Sequence, residues 1–182
     1  TDRAIKETDR AIKETDRAIK ETDRAIKETD KQIKELGRQI GGLGNKFGGF
    51  AEGMAYPSME RILTEKFKME YIGPHARKRM NGEEMELDVL AYANKKKDEA
   101  IVVEVKSRLQ DEHINEMIIN LDRFKYFFPE HKDKALYGII AAVDVSKDMK
   151  KKVYKSGLFL AMIRDDTFVI DVPEKFKPKC FN

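Results

Sequence analysis

Apolar residues recur along the first fifty positions with one fixed phase. Ile5, Ile12, Ile19, Ile26, Ile33 and Ile40 form one row. Thr1, Thr8, Thr15, Thr22 and Thr29, then Leu36 and Leu43, form a second. Steps of four and three alternate, which is the heptad signature of a left-handed coiled coil with Ile at a and Thr at d. Residues 1–28 are four identical copies of Thr-Asp-Arg-Ala-Ile-Lys-Glu, and residues 29–35 are a close fifth. Pairs such as Asp2 with Lys6 and Arg3 with Glu7 support the helix, each worth roughly 0.2–0.5 kcal/mol. Threonine is a poor helix former, so association must supply the rest. Residues 1–43 are therefore expected to be a parallel oligomerising coil, about 65 Å long at the helical rise. β-Branched Ile at a suits two strands, but β-branched Thr at d does not. Ala4, Ala11, Ala18 and Ala25 at g widen the apolar face. A trimer or tetramer is thus expected over a dimer, with ion binding along the threonines as the weaker alternative to packing.

Seven of the eleven glycines lie between Gly37 and Gly53. Yet Ile40, Leu43, Phe47, Phe50 and Met54 keep three-to-four spacing through them, which predicts a helix running on to about Tyr56. Pro57 suits the first turn of a second helix carrying Met59, Ile62, Leu63 and Phe67. The pattern then changes. Strands are expected over 68–79, 84–93, 100–107 and 135–143, with a closing hairpin from 157–163 and 167–172. Met80-Asn-Gly-Glu83 reads as a turn, and Asn94 to Asp98 as a polar hairpin tip. Helices are expected over 110–128, where Ile114, Met117, Leu121 and Phe124 share a side, and over 146–156.

Candidate chemistry sits on the second and third of these strands. Asp88 lies in Glu86-Leu-Asp-Val-Leu90, and Glu104-Val-Lys106 ends an otherwise apolar strand. Alternation puts Glu104 and Lys106 on one face, and Asp88 on the same face as Glu86 and Leu90. Charges on a buried strand are costly without a purpose. Carboxylate oxygens suit Mg²⁺ or Mn²⁺, and a lysine can orient or activate water.

Asp88, Glu104 and Lys106 resemble the signature of the PD-(D/E)XK nuclease superfamily: an Asp on one strand, Glu-x-Lys on the next, and a Glu from the preceding helix. Leu87 stands where a proline would precede the Asp. Phe47-Gly-Gly-Phe-Ala-Glu-Gly53 resembles the first-helix segment of coiled-coil-fused members, which points to Glu52, with Glu60 as the rival. The resemblance implies an α/β restriction-endonuclease-like αβββαβ core with a mixed central sheet over residues 44–182. It implies metal-dependent hydrolysis of nucleic acid, with DNA the expected substrate. Asp88, Glu104, Glu52 and the Val105 carbonyl would bind Mg²⁺ or Mn²⁺, and Lys106 would position or deprotonate water. The alternative is a catalytically silent binding or scaffold protein whose coil sets valency.

Charge adds little. The net charge is +3, all of it in residues 36–182, because residues 1–35 carry ten acidic and ten basic side chains. His75 to Arg79, Arg108 and Arg123 are candidate phosphate contacts, with plain solvation the favoured reading of each. His75, His113 and His131 have no metal-ligand spacing. Cys180 is the single cysteine, so no disulfide forms within the chain. No apolar run reaches membrane-spanning length and no signal-peptide pattern is present, so a reducing, cytoplasmic setting is expected without a membrane partner.

Overall fold

A computed structural model describes residues 2–94, 98–165 and 167–181. The side chains of residues 2–9, 11, 37–48, 50 and 52 lie outside the described set. The Ile5, Ile40, Leu43, Phe47, Phe50 and Glu52 side chains are therefore not described, nor are Lys95–Lys97 of the expected hairpin tip. Two compact units divide the chain, Thr1–Lys46 and Phe47–Asn182.

In the first unit the backbone is helical from Asp2. Its described apolar residues Ile12, Ile19, Ile26, Ile33 and Leu36 are 55–61% exposed.

The same helix, α1 (Asp2–Glu65), reaches into the second unit and passes through Pro57. The expected stop at Tyr56 is therefore corrected. Proline forfeits one hydrogen bond, to the Gly53 carbonyl, and costs about 3 kcal/mol in a helix interior. Buried residues lie on both sides of it: Ala51 and Ala55 before, Met59, Ile62 and Leu63 after. Burying each large side chain contributes about 1.5–3 kcal/mol. Tertiary packing outweighs the proline.

Six strands follow: β1 (Tyr71–Met80), β2 (Glu83–Tyr92), β3 (Glu99–Arg108), β4 (Ala135–Asp144), β5 (Phe159–Arg164) and β6 (Thr167–Ile170). Helices α2 (Asp111–Phe127) and α3 (Lys147–Lys155) flank β4. The sheet order is β1-β2-β3-β4-β5-β6. β1 to β3 are antiparallel, β3 to β5 parallel, and β6 antiparallel again. This is a mixed α/β fold with the expected αβββαβ order, extended by α3 and the closing hairpin. β1 begins at Tyr71 rather than Lys68, because Lys68 has a left-handed φ of 59°. The β1–β2 turn places Asn81 and Gly82 at φ 51° and 82°, the paired positive values that a tight hairpin requires.

Two buried layers sandwich the sheet. Ile114, Met117, Leu121 and Phe124 of α2 pack on Leu87, Val102, Leu136 and Ile140. Ala55, Met59 and Leu63 of α1 pack on Val89, Ile101, Val103 and Ile139. Gly138 lets α2 approach β4 closely, since a Cβ there would sit 2.7 Å from Leu121 and Met117 atoms.

Candidate active site

Alternation along β2 slips by one residue at Asp88. Met85 and Leu87 face α2, Val89 and Ala91 face α1, and Leu90 faces α2. Leu87 and Leu90 thus share a layer although three residues apart. β1 slips at the matching place, with Ile72 on the α1 side and Ala76 on the α2 side. Pairing runs from Pro74 opposite Val89 to Ala76 opposite Leu87 and passes over His75, whose φ is 51°. Asp88 therefore does not share a face with both Glu86 and Leu90, which corrects the strict-alternation expectation. Glu86 is exposed and bonds Arg77, while Leu90 is buried under α2.

The β2–β3 ladder also ends here. It runs from Tyr92 opposite Ala100 to Val89 opposite Val103 and goes no further. Past that point the Asp88 carboxylate replaces the missing backbone acceptor, and Val105 N–H donates to its Oδ2 at 2.7 Å. A side chain has taken over a ladder bond, which fixes the carboxylate against β3. Val105 is buried in the α1-side layer.

Glu104 and Lys106 share the α2-facing side of β3, as alternation requires. Lys106 Nζ donates to Glu104 Oε1 at 2.8 Å, with the two side chains 26% and 16% exposed. Both groups hold their protons more tightly than usual. Burial raises the Glu104 pKa, the Asp88 charge raises it further, and the Lys106 contact only partly offsets this. Burial alone would lower the Lys106 pKa, but the Glu104 hydrogen bond and the charges of Glu104, Asp88 and Glu116 outweigh it, so the net shift is upward.

Glu116, on α2, was not singled out from the sequence. It sits one residue from the apolar stripe, next to Met117, on the helix covering Glu104 and Lys106. Three carboxylates thus act on one ammonium. When all are ionised the group carries an excess of two negative charges, and hard oxygen donors with such an excess fit a divalent cation. Among the described residues, no group of three or more His, Cys, Asp and Glu side chains is placed to hold a metal.

On the α1 side of Asp88 lies a cavity of about 380 Å³, lined by Gly49, Gly53, Tyr56, Pro74, His75 and Asp88 among others. Burial first, and then the Glu60 charge, raise the Tyr56 pKa. Glu60 itself is exposed. The Glu52 side chain lies outside the described residues.

The basic residues near the site are engaged. Arg77 pairs with Glu84 and Glu86, Lys78 with Glu130, and Arg79 with Glu84. Arg123 pairs with Glu83, and Arg108 lies 3.5 Å from Asp144. These contacts match the solvated-surface reading better than a phosphate-binding one. His113 accepts the Gln110 N–H at the start of α2, and His131 packs on Tyr92 and Phe124. Neither is placed as a metal ligand. Among the described residues, no helix is long and apolar enough to cross a membrane.

Residues 3–73 match a family described as a protein of unknown function, DUF3782. No curated protein matches the chain. Two solved structures are similar in part. One is an EndoMS–dsDNA2 complex, with 21% identity, 61% of this chain and 45% of that chain covered, and a TM-score of 0.39. The other is a repair endonuclease from Pyrococcus abyssi, with 23% identity, 60% and 47% covered, and a TM-score of 0.38. The chain spans less than half the length of either.

Proposed function

We propose that the chain is a metal-dependent nuclease that hydrolyses phosphodiester bonds of nucleic acid, DNA in the first instance, and self-associates through its heptad segment. One observation carries the reading. Asp88, held by Val105 N–H, acts on the part-buried Glu104–Lys106 pair from the adjoining strand, leaving an excess of carboxylate there. Asp88 and Glu104 would hold Mg²⁺ or Mn²⁺, with Glu52 and the Val105 carbonyl as further ligands. The cation, when bound, polarises the scissile phosphate and lowers the pKa of its water. Lys106 would position or deprotonate that water and offset charge at the phosphate. Copies joined through their helices would place several sites on one nucleic acid and raise avidity without new contacts.

The test is divalent-dependent cleavage of single-stranded, duplex and branched substrates by the wild type, Asp88→Asn and Lys106→Ala. Cleavage is expected only from the wild type, and equal cleavage by all three would overturn the proposal. A second reading is a silent nuclease-fold scaffold, favoured by the carboxylate partners of Arg77, Arg79 and Arg123. Calorimetric titration with Mn²⁺ separates the two, because a scaffold would give no heat dependent on Asp88 and Glu104.

A further inference from the structure

Threonine at d is the least expected choice for a helix–helix seam, because its hydroxyl needs a partner when water leaves. The helix already supplies one. Thr22 Oγ1 donates to the Ala18 carbonyl at 2.7 Å, and Thr29 Oγ1 to the Ala25 carbonyl at 2.9 Å. These back-bonds use the hydroxyl proton inside the turn and leave the threonine methyl for the seam. Beside those methyls stand Ile12, Ile19, Ile26 and Ile33, each more than half exposed in the isolated chain.

We infer that the Ile/Thr face of residues 12–36 packs on a second copy of this chain, in parallel, as a dry interface in which the Thr22 and Thr29 hydroxyls donate within their own helix. The inference rests on the self-association in the proposed function and adds the chemistry of the seam to it.

Charge selects the occupant. Each full heptad carries two acidic and two basic residues, so the segment has no net attraction for phosphate or an anionic lipid surface. Asp16, Asp23 and Asp30 occupy e, while Ala18 and Ala25 occupy g. Antiparallel copies would set e against e, aspartate facing aspartate. Parallel copies set e against g, aspartate facing alanine, which carries no repulsion. A row of isoleucines repeating every seven residues is matched by an identical row on another copy. Threonines with committed hydroxyl protons need no acceptor across that row.

The experiment uses the full chain. Sedimentation across concentrations gives a dissociation constant for the wild type, Thr22→Val/Thr29→Val and Thr22→Ser/Thr29→Ser. The valine variant is expected to associate as tightly as the wild type or more tightly. The serine variant, which keeps the hydroxyls and loses the methyls, should be at least tenfold weaker. Spin labels at Arg10→Cys, in a Cys180→Ser background, should give one short inter-copy distance. In an antiparallel pair Arg10 would instead face Lys31, moving the like labels apart by about 31 Å at the helical rise. A valine variant at least tenfold weaker than wild type, a long Arg10–Arg10 distance, or a monomeric wild type would each overturn the inference. None of these results depends on cleavage, which the Asp88 and Lys106 variants test separately.

Discussion

Asp88 has two separable roles, and two substitutions divide them. Its Oδ2 accepts the Val105 N–H at 2.7 Å where the β2–β3 ladder has ended. The substitution Asp88→Asn keeps an oxygen in that position, so the hydrogen bond survives without the charge. Asp88→Ala removes the acceptor and leaves the N–H of a residue only 7% exposed without a partner. An orphaned buried donor costs about 1–3 kcal/mol. In a chain of this size that is a fall in Tm of about 2–12 °C. The asparagine variant also loses the repulsion that Asp88 exerts on Glu104, so its stability should equal or slightly exceed that of the wild type. Both variants should lose divalent-dependent cleavage. Thermal unfolding of the three full-length proteins measures the first effect. A carbon-detected NMR titration of Glu104 measures the second, and its pKa should fall in Asp88→Asn because the Asp88 charge is, after burial, the next cause of its rise. Equal melting temperatures for the Asn and Ala variants would refute the hydrogen-bond argument. An unchanged Glu104 titration would refute the electrostatic one.

Three further outcomes follow from the same contacts. Glu104→Gln should stabilise the protein at neutral pH while abolishing cleavage. A carboxyl whose folded pKa is raised gives stability that is present below its ordinary value near 4.5 and lost as pH rises through the folded value. The advantage of Gln should therefore be absent below pH 4.5 and grow above it, as urea unfolding at several pH values would report. Lys134 is buried and donates to the Ala93 carbonyl, Asn94 and Asp98 at 2.7–2.9 Å, pinning the far end of the β2–β3 hairpin. Lys134→Met should cost about 2–4 kcal/mol by denaturant titration, since bonds to charged groups contribute about 1.5–3 kcal/mol and the exposed Asp98 regains water. Metal-dependent cleavage by the folded fraction should be retained. His131 Nδ1 is buried with no hydrogen-bond partner among the described residues, and burial lowers its pKa, with Lys134 and Lys78 adding to the fall against Glu130. Stability from the neutral ring is present above pH 6.5 and lost as pH falls toward the folded value, so His131→Phe should narrow the Tm difference between about pH 7 and about pH 5.

Most of the secondary structure was legible because one signal dominated each segment. The heptads gave the helical start of α1, and the apolar run of β3, the Asn-Gly turn and the stripe of α2 gave elements within a few residues of those observed. Two features followed a different rule. Pro57 is a local stop signal, and only the burial of Met59 and Leu63 beyond it explains why the helix continues. The face of Asp88 was misread because strict alternation was carried across a place where both strands slip. The signal was present in Gly73-Pro74, since proline within a strand marks an edge or an irregularity. Glu116 was illegible for another reason. Its nearness to Glu104 comes from α2 folding back over β3, and no spacing within the helix encodes that.

The balance of charge separates the candidate site from the other ion pairs of the domain. Arg123 has Glu83, Lys78 has Glu130, and Lys152 has Asp111 and Asp148, all at solvated positions. Such pairs are worth at most about 1 kcal/mol and need no function. The Glu104–Lys106 pair differs twice over. It is mostly buried, so its charges are desolvated. It is also unbalanced, because Asp88 and Glu116 add negative charge with no further cation acting on the pair among the described residues. Burying a pair already contributes little to stability, and burying an excess of one sign is worse. Burial first, and then the Asp88 charge, raise the proton affinity of Glu104, while, against burial, the hydrogen bond to Glu104 and the surrounding carboxylates raise that of Lys106. A structural ion pair would gain by losing one carboxylate. The chain instead places Asp88 beside Glu104 with a ladder bond diverted to hold it. That arrangement is intelligible where a positive charge arrives from outside, and under the proposed function a divalent cation supplies the two charges that balance the count.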